Sequence, residues 1–101
     1  MGYKAIYKKR YLNKLDKLLL YLEKEWSPRT AFDFLSILEM RMNSIKTNPF
    51  IGKATPLNNT RSILISKQNR LYYRVINDEI IFLNMMDTRR NPKKNPFNKP
   101  A

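Results

Sequence analysis

The feature that most constrains this chain is a change of hydrophobic period near residue 60. Before it, apolar residues recur every three or four positions; after it, they gather in short runs rich in β-branched and aromatic side chains. Spacing by three and four lines one side of a helix, whereas the later runs suit strands. A chain with such a change folds as helices laid against a sheet.

The first helical stripe is Leu12, Leu15, Leu19, Leu22 and Trp26, with Leu18 beside it, and Lys14, Lys17 and Lys24 facing water. It predicts a helix from about Lys9 to Glu25, preceded by a short strand over Tyr3 to Tyr7. Ser27 and Pro28 then form a start signal, because Ser caps free amides and Pro suits a first helical turn that needs no donor there. The second stripe, Ala31, Phe34, Leu35, Leu38, Met42 and Ile45, predicts a helix ending between Thr47 and Pro49. Two amphipathic helices joined by so tight a turn make an antiparallel hairpin. Both stripes are read as core packing.

Asn48 to Thr60, with Pro49, Gly52, Pro56 and the pair Asn58 and Asn59, has no sustained period and reads as a loop. Arg61 to Ser66, Leu71 to Ile76 and Glu79 to Met86 predict three consecutive antiparallel strands, with Asn77 and Asp78 supplying a two-residue hairpin turn. The expected fold is α+β: β-α-α-β-β-β, a helical hairpin on one face of a small, mostly antiparallel four-stranded sheet. Residues 1–92 are expected to form the domain and 93–101 a basic, Pro-rich tail, with Phe97 tucked onto the body.

Charge narrows the partners. Twenty Lys and Arg against eight Asp and Glu leave a net +12. The excess is +5 over residues 1–22, +1 over 23–60 and +6 over 61–101, so it sits at the two ends of the chain. Such a field concentrates polyanions, which makes nucleic acid or an acidic protein the expected partner. With no Cys and no His, neither a disulfide framework nor a zinc site is expected, and no cofactor is implied. The apolar runs fall well short of the roughly 20 residues that span a bilayer, so a soluble chain without a membrane partner is expected.

The residues with chemical potential lie in the second half. In the third predicted strand, Tyr72, Arg74 and Ile76 point one way and Tyr73 and Val75 the other. Arg61, Lys67 and Arg89 on neighbouring segments are expected to converge with Arg74 on one concave basic patch. Cleavage of RNA there requires in-line positioning, compensation of charge on the phosphoryl oxygens, and proton transfer at both ends. Arg74 and Arg89 suit the second task, and Lys67 or Tyr73 the third; the structural alternative is that Tyr72 or Tyr73 fills the core under the helices and that Arg74 is an ordinary solvent-facing strand residue. Arg61, Arg70 and Arg90 are the further phosphate-holding candidates. Asp87 is expected to pair with Arg89 or Arg90, or to cap the strand end.

Taken together, several segments resemble the RelE/ParE superfamily of toxins from bacterial toxin-antitoxin pairs. They are Glu25-Trp26-Ser27-Pro28, the run Ala31 to Phe34, Asn48-Pro49 with Gly52 shortly after, Arg61, Tyr72-Tyr73-Arg74-Val75, and Asp87 through Pro92. The likeness spans about residues 3 to 92. It implies a cytoplasmic, growth-inhibiting toxin with a cognate acidic antitoxin encoded beside it. RelE-like members cut mRNA on the ribosome with basic and tyrosine residues, and Arg61, Lys67, Arg74 and Arg89 are similar in type and place to their phosphate-holding residues. ParE-like members instead bind and poison DNA gyrase. The long hairpin and the Asn48-Pro49-x-x-Gly52 loop resemble that branch, and the histidine-tyrosine pair of some nuclease relatives is missing from the last strand. Ribosome-dependent mRNA cleavage, alternatively gyrase poisoning, and a plain nucleic-acid-binding role without toxicity all remain open at this point.

Overall fold

The computed structural model describes residues 2–98; of the expected tail, residues 99–101 lie outside the described residues. Strand β1 (Lys4–Tyr7) leads into helix α1 (Lys9–Glu25), a two-residue turn, and helix α2 (Pro28–Thr47). A 3-10 turn at Pro49–Ile51 precedes strands β2 (Lys53–Ala54), β3 (Thr60–Ser66), β4 (Asn69–Ile76) and β5 (Glu79–Asp87). Two further 3-10 turns, Pro92–Lys94 and Pro96–Asn98, end the described chain.

The sheet order is β1-β5-β4-β3-β2, with β1 parallel to β5 and every other pair antiparallel. The α+β class and the hairpin-on-sheet layout agree with the sequence expectation, but the sheet has five strands where four were expected. The extra one, β2, is a two-residue edge that pairs Lys53 with Ser62 and Ala54 with Arg61. A strand that short carries no period of its own and exists because β3 offers it a free edge.

Helix α2 begins as its sequence signal implies. Ser27 Oγ accepts a hydrogen bond from the Thr30 amide at 3.1 Å, with Pro28 in the first turn. Helix α1 lacks a side-chain cap and depends on tertiary packing instead. Its apolar stripe differs from the expected one at both ends. Tyr11 is the buried residue, while Leu12 and Trp26 are exposed, Trp26 at 71%. Trp26 is the residue that stops the helix, its amide bonded back to the Leu22 carbonyl, so its side chain leaves the helical stripe.

The core lies between the hairpin and one sheet face. Phe34, Leu38 and Ile45 of α2 and Tyr11 of α1 pack on Ile65, Leu71, Tyr73, Ile80, Phe82 and Met85. Burying each large apolar side chain stabilises by about 1.5–3 kcal/mol relative to exposure. A register shift lies in β5, where Phe82 sits opposite Tyr73 but Asn84 sits opposite Tyr72. The extra residue, Leu83, breaks the alternation, so Ile80, Phe82 and Met85 all reach the core. The helices cover one face of the sheet, and the chemistry therefore has to be sought on the other face or at the sheet ends.

Candidate functional site

Alternation along β4 sends Leu71 and Tyr73 under the helices and Arg70, Tyr72 and Arg74 to the opposite face. Cross-strand pairing gives these three their neighbours. Arg70 lies opposite Leu64 and Met86, Tyr72 opposite Ser62 and Asn84, and Arg74 opposite Thr60 and Ile81. Arg70 Nη1 donates to Ser62 Oγ at 2.9 Å, and Arg74 Nε is buried without a hydrogen-bond partner. The C-terminal turn lies on this face, with Phe97 stacked on Tyr72 at a ring separation of 4.3 Å.

Arg61 is elsewhere. It pairs with Tyr73 across the β3–β4 ladder and so shares the helix-covered face. There Nη1 donates to the carbonyls of Gly52 at 2.8 Å and Phe50 at 3.3 Å, and its guanidinium lies 5.2 Å from the Phe50 ring centre. Those bonds make Arg61 a clamp on the Pro49–Ile51 turn.

Arg89 occupies a third place, beyond the end of β5. It grips Asp87 in a two-point bond, Nε to Oδ1 at 3.0 Å and Nη2 to Oδ2 at 2.7 Å, as the sequence suggested. The pair borders a cleft of about 720 Å³ between α1 and the ends of β4 and β5, where Lys14, Lys17, Tyr21 and Trp26 also lie. Arg90 reaches both this cleft and a smaller cavity beside Arg70 and Tyr72. Lys67 is exposed in the β3–β4 turn, which is tied to the chain after β5 by the Thr88 hydroxyl donating to the Lys67 carbonyl at 2.9 Å.

Two expectations need correction. Arg61, Arg74 and Arg89 do not share one hollow, because strand register puts Arg61 and Arg74 on opposite faces and Arg89 sits past the sheet end. Tyr73, a candidate for proton transfer, is fully buried. Its hydroxyl donates to the Pro49 carbonyl at 2.7 Å and accepts from the Gly52 amide at 2.9 Å. Burial pushes the phenol above its ordinary range, with the Gly52 amide and Arg61 opposing. Tyr73 fastens the loop to the core. What the fold does bring together is Arg70, Tyr72 and Arg90 around one small cavity, and Lys14, Lys17, Arg89 and Arg90 around the cleft. Sequence reasoning treated Lys14 and Lys17 as a solvated helix face. Their spacing of three was visible, but their nearness to the strand ends was not.

The Asp87 carboxyl is held down to about 2, chiefly by hydrogen bonds from the Arg89 side chain and amide. A carboxylate lowered in the folded state adds stability above its unfolded value near 3.8, and that contribution disappears as pH falls toward 2. Asp87→Asn is therefore expected to flatten the fall in unfolding free energy between about pH 4 and pH 2, read by denaturant titration across that window. An unchanged slope would mean that the pair forms equally in the unfolded chain.

Among the described residues, no group of three or more His, Cys, Asp or Glu is placed to hold a metal, and no helix is long and apolar enough to cross a membrane. The sequence model for the ParE toxin of type II toxin-antitoxin systems (parDE) matches residues 5–92. The chain belongs to the ParE toxin family. As a ParE-family member it is a toxin of the type II toxin-antitoxin class, and its hairpin-on-sheet body is shared with solved structures. The chromosomal ParDE system of P. aeruginosa matches with a TM-score of 0.70 at 14% identity, over 84% of this chain and 95% of that one. The RelBE2 toxin-antitoxin complex of Mycobacterium tuberculosis matches with a TM-score of 0.60 at 17% identity, over 86% and 99%. The E. coli DinJ-YafQ complex matches with a TM-score of 0.60 at 12% identity, over 86% and 93%. At these identities the likeness is one of fold. No curated protein matches the chain.

Proposed function

We propose that this ParE-family chain stops growth in the cytoplasm by binding DNA gyrase, and that a cognate acidic antitoxin neutralises it. One observation carries the choice against mRNA cleavage: the candidate site residues are dispersed, and three of them are already engaged. Tyr73 is buried in bonds to Pro49 and Gly52, Arg61 holds two loop carbonyls, and Arg89 is paired with Asp87. Transesterification at phosphate needs proton transfer and charge compensation at one point, and a chain with no histidine has few ways to supply the first.

Inhibition by binding needs no such convergence; it needs a rigid body and a distinctive surface. The charge of +12 supports an acidic neutralising partner, and the ParDE, RelBE2 and DinJ-YafQ structures are toxin-antitoxin systems or complexes. Purified chain is expected to inhibit supercoiling by gyrase in a concentration-dependent way, with activity restored by the product of the adjacent reading frame. Unimpaired supercoiling at saturating toxin would overturn the gyrase reading.

A further inference from the structure

We infer that the open face of the sheet carries a binding site for single-stranded nucleic acid, which the C-terminal segment of the same chain occupies. The Phe97 ring is stacked on Tyr72, 13° from parallel and 4.3 Å away centre to centre. Asn95 Nδ2 donates to the Tyr72 hydroxyl at 3.0 Å, while Asn95 Oδ1 accepts from the Phe97 amide at 2.9 Å. Asn98 Nδ2 closes the segment on itself by donating to the Pro92 carbonyl at 3.0 Å. A planar ring and an amide thus rest on an aromatic platform, which is also how a nucleobase rests on a tyrosine.

The surroundings of that platform are those of a site for anions. Arg70 and Arg90 line the adjoining cavity of about 200 Å³ with Tyr72 and Asn95. Arg74, two residues along the same face of β4, keeps a buried Nε–H without an acceptor. The carboxylate at the cavity's edge, Asp87, is already held by Arg89. Phe97 satisfies the ring but leaves the guanidinium groups without an anion. A nucleotide supplies both parts at once, a base for Tyr72 and a phosphate for the arginines. Stacking tolerates any base, so the site selects for unpaired strands and not for sequence. Binding without cleavage is all this arrangement provides, and it is independent of the toxin's target.

The test uses the full chain and a full-length Phe97→Ser/Asn95→Ala variant, checked for parental circular dichroism. Labelled oligo(dT), an abasic oligomer of equal length and an acidic peptide bearing one aromatic side chain serve as probes in fluorescence anisotropy. The variant is expected to bind oligo(dT) at least about tenfold more tightly than the parent, the scale of one exposed stacking position. Abasic affinity should not change, and Tyr72→Leu in the variant background should remove the gain. Equal oligo(dT) affinity in the two chains overturns the inference. So does an equal gain for the abasic probe, which would show charge alone, or a gain confined to the peptide, which would assign the face to a protein partner. If Tyr72→Leu fails to fold, the comparison of oligo(dT) with abasic probe decides.

Discussion

Phe82→Ala is expected to destabilise the domain by about 3–5 kcal/mol, against a total stability for such domains of about 5–15 kcal/mol. Phe82 is fully buried and stands at the centre of an aromatic cluster. Its ring lies 5.3 Å from that of Tyr7, 6.0 Å from Tyr11 and 6.3 Å from Tyr73, joining β1, α1, β4 and β5. Removing it opens a cavity that three rings on separate elements cannot close together. The bulge at Leu83 fixes the local backbone, and the Phe82 carbonyl accepts from the Lys8 amide at 3.0 Å, so the strand has little freedom to move inward. Phe82→Leu, which retains most of the volume, should cost much less. Urea unfolding of the three proteins measures both steps, and equal midpoints would place the stabilising core elsewhere.

Gly52→Ala should be comparably damaging, at about 3–5 kcal/mol, although Gly52 has an ordinary extended backbone. Space is the reason. A Cβ there would lie 2.5 Å from the Tyr73 hydroxyl and 2.9 Å from the Ser62 carbonyl oxygen. The ring is buried and cannot swing aside, and the carbonyl belongs to the β3 backbone. Relief requires moving the loop, which breaks the Tyr73 bonds to Pro49 and Gly52 and disturbs the Arg61 clamp. Tyr73→Phe alone should cost about 1–3 kcal/mol, since it leaves buried polar backbone groups unpaired. The double variant should be more stable than the sum of the single losses implies, because deleting the hydroxyl removes the nearest obstacle. Strict additivity in a double-mutant cycle would contradict this coupling between loop and core.

Much of the scaffold was legible because its signals are local. Ser27 and Pro28 start a helix wherever they fall, the stripe of Phe34, Leu38 and Ile45 specifies a buried side, and Asn77, at a positive φ of 54°, suits the left-handed position of the last hairpin. Asp87 beside Arg89 likewise pairs within three residues. The site was less legible because it depends on register between distant segments. Whether Arg61 shares a face with Tyr73 or with Arg74 is decided by how β3 slides along β4, and a one-residue shift reverses the answer. Strict alternation through Ile80 to Met86 would put Asn84 in the core, and only the bulge substitutes Met85. Tyr73 was read as chemical because tyrosine suits both roles. Alternation along β4 sends its ring under the helices, but the loop that engages its hydroxyl reaches it across 24 residues, a contact that no local pattern carries.

Mapping mRNA 5′ ends after induced expression tests most directly the proposal that this toxin acts by binding and not by cutting RNA. Growth arrest with a DNA damage response and an unchanged profile of ends is the predicted result. New ends within translated frames that vanish when Arg74 and Arg89 are both changed to Ala would contradict it.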